Sequence, residues 1–284
     1  MTPLRVLVCG HVTLDRYGDA LLPGGSAYYA GHAYRALGAH VRVTTAAGPD
    51  FPRQALAGLE AEVAPAPWTT SFENRYGADG RRSHSVSAIA QHLESSHLAA
   101  PWRTPDLLHL APVVGEVDLR AWLGVVSARL VGLGVQGCVR AVLPGGKVSQ
   151  PRWEFDRADL AGVSAACLGE DDLDGQGDLL DRLAAAVPIV AFTHSGRGCD
   201  VIVRGRTRRL GVYRTCEIEP TGAGDVFAAG FLLGLARGDD PVEAARLGTA
   251  AASVVVEGRA GKTLGRVGEA YARLASVPVD VPPG

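Results

Sequence analysis

The sequence predicts one α/β domain over residues 1–284, a three-layer α/β/α architecture on a mostly parallel sheet, carrying a small β lid. Three observations predict it. Short apolar runs alternate with helical patterns almost from end to end, the mark of βαβ units with helices on both faces of a sheet. The chain, at 284 residues, is long enough for one large core with an accessory element. Two polar, strand-like segments interrupt the alternation and are too polar to be buried on both faces.

In chain order, Leu4–Cys9 reads as a buried strand and Ser26–Leu37 as a small-residue helix closed by Gly38. Val41–Ala46 is a second strand and Pro52–Leu59 a short helix. The polar runs Thr69–Tyr76 and Arg81–Ile89 flank Gly77-Ala78-Asp79-Gly80, residue types that tolerate the positive φ of a tight hairpin turn. Together with 12–23, the stretch 69–90 is the expected lid. Leu107–Leu110, Val139–Leu143, Ala165–Leu168 and Ile189–Phe192 follow as strands, with helices over Leu119–Leu130 and Leu179–Ala186. Gly198–Arg209 reads as a second hairpin, and Val226–Ala236 as a helix.

Composition narrows the function classes. A formal net charge of −2 provides no basic field for nucleic acid or an anionic membrane, so an anionic ligand must be held by local geometry. No apolar stretch reaches the ~18 residues of a membrane span. The N-terminus lacks a secretory pattern, and the five scattered cysteines form no CxxC pair. A cytoplasmic protein is expected.

The chemistry concentrates in Glu219-Pro220-Thr221-Gly222-Ala223-Gly224-Asp225, which opens the helix Val226–Ala236. Glycine and alanine at 222–224 permit a tight bend whose backbone N–H groups converge. Such a bend at a helix N-terminus favours an anion through both its unpaired donors and the helix dipole. Asp225 would repel a phosphate, but it makes sense facing an acceptor hydroxyl as a general base. The competing reading is a glycine turn with Asp225 as a helix cap.

The run Pro220–Gly230 resembles the C-terminal signature of the ribokinase-like, or PfkB-type, carbohydrate kinases. Similarity continues in Gly10-His11-Val12-Thr13-Leu14-Asp15, in Gly24-Gly25-Ser26-Ala27-Tyr28-Tyr29, in Ala47-Gly48-Pro49-Asp50 and in Cys167-Leu168-Gly169-Glu170. Thr193-His194-Ser195-Gly196-Arg197-Gly198 is similar to the family's nucleotide-cleft segment. Three positions depart from the pattern: Glu219 for aspartate, Tyr29 for asparagine and Cys167 for asparagine. Leu110–Glu116 and Val135–Arg140 lean towards the inositol-kinase-like branch.

The resemblance implies an ATP-dependent phosphotransferase acting on a hydroxyl of a sugar or cyclitol. Asp225 would be the base, with Gly222, Ala223 and Gly224 around the γ-phosphate. Asp15, Gly24, Gly25, Tyr29, Phe72 and Arg140 would hold the acceptor. Thr193, Ser195, Gly196, Gly198, Gly224 and Ala251 would line the ATP cleft, and Glu170 would organise Mg2+. Gly258–Gly261 lies where some members bind a monovalent cation such as K+. With Lys147 and Lys262 the only lysines, arginines such as Arg75, Arg140 or Arg197 must supply a positive clamp. The implied partners are the polyol and ATP, with a homodimer through the lid. A nucleoside or ribose kinase, or a non-catalytic binding homologue, are the alternatives.

Overall fold

The computed structural model describes residues 2–17, 20–76 and 82–282, and at 74–76 and 82–84 it describes the backbone alone. Its elements in the amino-terminal half are β1 (Arg5–Cys9), β2 (Thr13–Tyr17), β3 (Ala20–Gly24), α1 (Ser26–Ala36), β4 (His40–Ala47), β5 (Glu60–Pro65), β6 (Thr70–Tyr76), β7 (Arg82–Ala88), β8 (Leu107–Leu110), α2 (Leu119–Val125), β9 (Leu130–Gly134) and α3 (Gln136–Val139). Then come β10 (Ala141–Val142), β11 (Val148–Ser149), β12 (Ala165–Gly169), α4 (Leu179–Ala186), β13 (Ile189–Thr193), β14 (Cys199–Val203), β15 (Arg206–Leu210), α5 (Ala223–Arg237), α6 (Pro241–Val255) and α7 (Ala270–Arg273).

Nine strands form the main sheet in the order β15-β14-β13-β12-β9-β8-β1-β4-β5. It is parallel from β5 to β13 and ends in the antiparallel hairpin β14–β15. The central strands are apolar on both faces because both are covered: Val6, Leu7, Val8 and Cys9 of β1 are fully buried. One face packs on α1, α5 and α6, the other on residues of α2, α3 and α4. The α5 face needs close approach, and Gly132 of β9 gives it: a Cβ there would stand 2.2 Å from Leu232.

The small sheet has the order β3-β2-β6-β7, with β2 and β6 parallel and the two outer pairs antiparallel. The turn expected at Gly77–Gly80 lies outside the described residues, as do the side chains of Arg75 and Tyr76.

Three expectations fail locally. The run Val139–Leu143 is not a strand of the main sheet; it splits into the end of α3 and the two-residue β10. The strand is instead Leu130–Gly134, directly after α2, which stops at Val125. Gly132 and Gly134 weaken its strand signature, and a β-branched, apolar 139–143 mimics one. Pro52–Leu59 contracts to a single 3-10 turn at Arg53–Leu56, followed by β5.

Candidate active site

A cavity of ≈ 830 Å³ opens beyond the carboxyl ends of the central strands, between the main sheet and the small one. Ala111 beyond β8, Gly134 at the end of β9, Cys167 and Gly169 of β12 and Thr193 of β13 line its floor. This is where open α/β sheets present ligand crevices.

The bend and the base sit at one wall. Gly222 adopts φ +81, a left-handed conformation glycine accepts without strain, and α5 starts at the next residue. A Cβ on Gly222 would lie 2.3 Å from the Tyr29 ring, so the bend rests directly on that ring. Asp225 stands in the first turn of α5 and lines the cavity beside Gly222, Ala223 and Gly224. Removal from water pushes its carboxyl up to about 6, against the opposing hydrogen bond from Ser26 and the charge of Arg140; Asp172 and Asp15 raise it further. A carboxyl in that range exchanges a proton near neutrality. The residue at the cap position of α5 is Gly222, three residues before Asp225.

The acceptor-side residues converge on the same space. Asp15 and Phe72 pair across β2 and β6, and both line the cavity with Gly25, Tyr29 and Arg140. Thr13 Oγ1 donates to Asp15 Oδ1 at 2.9 Å. Gly24 does not line the cavity. Its role is steric: a Cβ there would meet Asp15 Oδ2 at 2.4 Å, so its absence gives the carboxylate room. Ser26, which the sequence marks only as the residue after the glycine pair, starts α1 and binds Asp225.

At the other end, Thr193, Ser195, Gly196 and Gly198 line the cleft as expected. Ala251 does not. It is fully buried on the core side of α6, and its neighbours Thr249, Ala252 and Ser253 form the wall instead. A run of small residues shows that something packs closely but not on which face. Glu170 lines the cavity, yet its Oε1 is engaged by Arg197 and by His194 Nδ1 at 3.1 Å, which holds its carboxyl below the usual range. His194 is thus a bridge, with Nε2 2.9 Å from Asp200 Oδ2, and Arg209 grips both oxygens of Asp200.

The sequence shows Asp172 only as part of a solvated acidic start. In the fold it is 5% exposed, lines the cavity, accepts from Gly169 N–H at 2.8 Å through Oδ2, and leaves Oδ1 without a hydrogen bond. Burial raises its carboxyl above the usual value, opposed by the Gly169 N–H and by Arg140. Among the described residues no group of three or more His, Cys, Asp or Glu side chains could hold a metal ion alone. No helix among them is long and apolar enough to cross a membrane.

Residues 158–264 match the model of the pfkB family carbohydrate kinases. This carboxyl-terminal stretch is therefore similar to that family, and the match covers less than half of the chain. The matched span holds the bend, Asp225 and the donor-side wall. Curated relatives include a 5-dehydro-2-deoxygluconokinase of Shouchella clausii, 52% identical over 52 residues, 18% of this chain and 16% of that one. Another, from Bacillus thuringiensis strain Al Hakam, is 39% identical over 69 residues, 24% of this chain and 21% of its own. The chain thus spans about a fifth of the length of the curated relatives it matches.

Among solved structures, the sulfate complex of a pyrophosphate-dependent kinase in the ribokinase family superposes with TM-score 0.78 at 22% identity, covering 93% of this chain and 99% of that one. Ribokinase from Thermotoga maritima gives 0.71 at 16%, covering 96% and 99%. These likenesses establish the fold: the chain shares the large, mostly parallel sheet and small second sheet of the ribokinase fold.

Proposed function

We propose that the chain is a phosphotransferase that moves the γ-phosphoryl group of ATP onto a hydroxyl of a small neutral polyol, such as a sugar or a cyclitol like myo-inositol. The observation that carries this reading is Asp225, a carboxyl raised to about 6 beside a left-handed glycine bend, in the same cavity as Asp15. The acceptor lies against Asp15, Tyr29 and Phe72, with its reacting hydroxyl at Asp225. The hydroxyl oxygen attacks the phosphorus, its proton passes to Asp225, and the bond to the departing diphosphate breaks. The amides of Gly222 and Gly224 face the charge that develops, whereas that of Ala223, expected to join them, donates to the Pro220 carbonyl at 3.0 Å and shapes the bend; positioning and electrostatics supply the acceleration. Arg140, whose charge favours the ionised forms of both Asp225 and Asp172, is the cationic group at that point.

Charge argues for a neutral acceptor. Among the described residues, the cavity wall sets the carboxylates Asp15, Glu170, Asp171, Asp172, Glu217 and Asp225 against Arg140 and Arg214. A sugar acid would meet more repulsion than attraction there.

The donor side fits magnesium. Glu170 and Asp172 offer carboxylate oxygens, and Asp172 Oδ1 lacks any other partner. A hard cation that keeps waters needs only one or two such ligands besides phosphates. When bound, it would neutralise phosphate charge. A monovalent cation at 258–261 belongs to the same proposal and is tested by comparing potassium with tetramethylammonium salts. Pairing of two copies through the small sheet, where Leu21 is 46% exposed, is tested by the solution mass.

The deciding experiment offers ATP or pyrophosphate as donor with magnesium. Acceptors are myo-inositol and other cyclitols, pentoses, hexoses, nucleosides and 5-dehydro-2-deoxygluconate, with the phosphoester identified by 31P NMR. A neutral polyol ester formed from ATP, abolished by EDTA and restored by magnesium, is the expected result. No ester from any acceptor would remove the reaction. A nucleoside or the sugar acid as best acceptor would overturn the substrate class, and exclusive use of pyrophosphate the donor.

A further inference from the structure

One side chain ties the small sheet to the bend that carries Asp225. Tyr17 ends β2, two residues beyond Asp15, and so projects from the same face of the strand. Its hydroxyl donates to Glu219 Oε1 at 2.6 Å and lies 3.2 Å from Thr221 Oγ1. The second oxygen of Glu219 accepts from Ala260 N–H at 3.2 Å. Thr221 immediately precedes Gly222, where the chain turns left-handed against the Tyr29 ring. Burial and Glu219 push the phenol up to about 12, so it remains a donor across the neutral range.

The Tyr17 hydroxyl and its two partners therefore connect β2 directly to the bend. The acceptor's contacts Asp15 and Phe72 lie on this same sheet, paired in register. We propose that Tyr17 is a positioning residue that couples seating of the acceptor under the small sheet to the shape of the Thr221–Gly224 bend. Resting on the phosphotransfer reading above, this coupling makes the phosphoryl group pass to the acceptor hydroxyl rather than to water. The same link accounts for Glu219, whose two oxygens span from the small sheet to the loop at Ala260.

The test is a double-mutant cycle with Tyr17→Phe and Glu219→Asp. The measurements are kcat, both KM values, and donor hydrolysis without acceptor. Each single change is expected to lower kcat by about 10-fold, the scale of a lost charge-assisted hydrogen bond. The donor KM should stay within about twofold, and the ratio of hydrolysis to transfer should rise, because the link lies outside donor binding. The double variant should be no worse than the worse single one, since both remove the same link. If Glu219→Asp does not fold, Glu219→Gln replaces it in the cycle.

Additive losses, or an unchanged ratio of hydrolysis to transfer, would overturn the coupling while leaving the reaction intact. A wild-type chain that phosphorylates no acceptor would remove the reaction, and the coupling with it.

Discussion

Asp225→Asn separates catalysis from stability with opposite signs. A carboxyl moved from 3.8 to about 6 is disfavoured as an anion in the fold by about 3 kcal/mol. The sign follows from proton binding. Because the folded value lies above the unfolded one, the native state holds the proton more tightly, and native stability is greatest below about pH 4. It falls as pH rises through the window from 3.8 to about 6, then levels off. The amide carries no charge and can still accept from Ser26, so the variant escapes that cost. At pH 8 it should be more stable by up to about 3 kcal/mol, which at ~2–4 °C per kcal/mol raises Tm by several degrees. At pH 4 the gap should close. Calorimetry at the two pH values reads this directly. Turnover should fall by ~10²–10⁴-fold, the loss expected for a general base. The wild-type kcat/KM should rise with pH up to about 6, as the base ionises. A Tm gap that is the same at both pH values would refute the buried-charge argument. Near-normal turnover would remove Asp225 from the mechanism.

Other outcomes follow from the same geometry. Gly222→Ala adds a Cβ 2.3 Å from the Tyr29 ring at φ +81, so kcat should drop by at least ~10²-fold, with steady-state kinetics as the check. Asp15→Asn removes a charged acceptor of hydroxyl protons and should raise the acceptor KM by ~10–100-fold while leaving the donor KM unchanged. Gly132→Ala drives a methyl to within 2.2 Å of Leu232, on the α5 side of the sheet and outside the cavity lining; it should cost ~1–3 kcal/mol in thermal unfolding with kcat intact at 25 °C.

Much of the fold is legible in the sequence because the sheet is parallel and covered on both faces. Continuous apolar runs such as Leu107–Leu110 and a helix closed at Gly38 leave few readings, and both appear within a residue of expectation. The missed strand has a physical cause. β9 carries Gly132 because Leu232 of α5 packs directly on it, so tertiary contact overrides strand propensity there. The site divides in the same way. Gly222–Asp225, Asp15 and Tyr29 are local signals and converge in the cavity. Ser26 and Tyr17 act through partners distant in sequence, and nothing in their neighbours' identities announces those partners; Asp172 is set apart by burial that its acidic neighbours do not announce. Ala251 misleads because a stripe of small residues does not reveal which of its faces meets the cleft.

The three departures from the family pattern bear on whether the chain still catalyses. A chain drifting away from catalysis would scatter its losses, whereas here all three line or support one cavity. Tyr29, in place of asparagine, supports the bend, because Gly222 lies flat on its ring. Glu219, in place of aspartate, reaches Tyr17 and Ala260 at once. Cys167, in place of asparagine, pairs with Gly134 and Ala191 in the cavity floor, and burial pushes its thiol well above the usual value, so it is a small neutral side chain and not a metal ligand. Under the proposed reaction, the oxygen ligands for a cation would be Glu170 and Asp172, on the turn that follows the same strand. Each substitution is matched by a contact that keeps the bend, the base or the acidic wall in place. That pattern favours the proposed reaction over the alternative of a binding homologue.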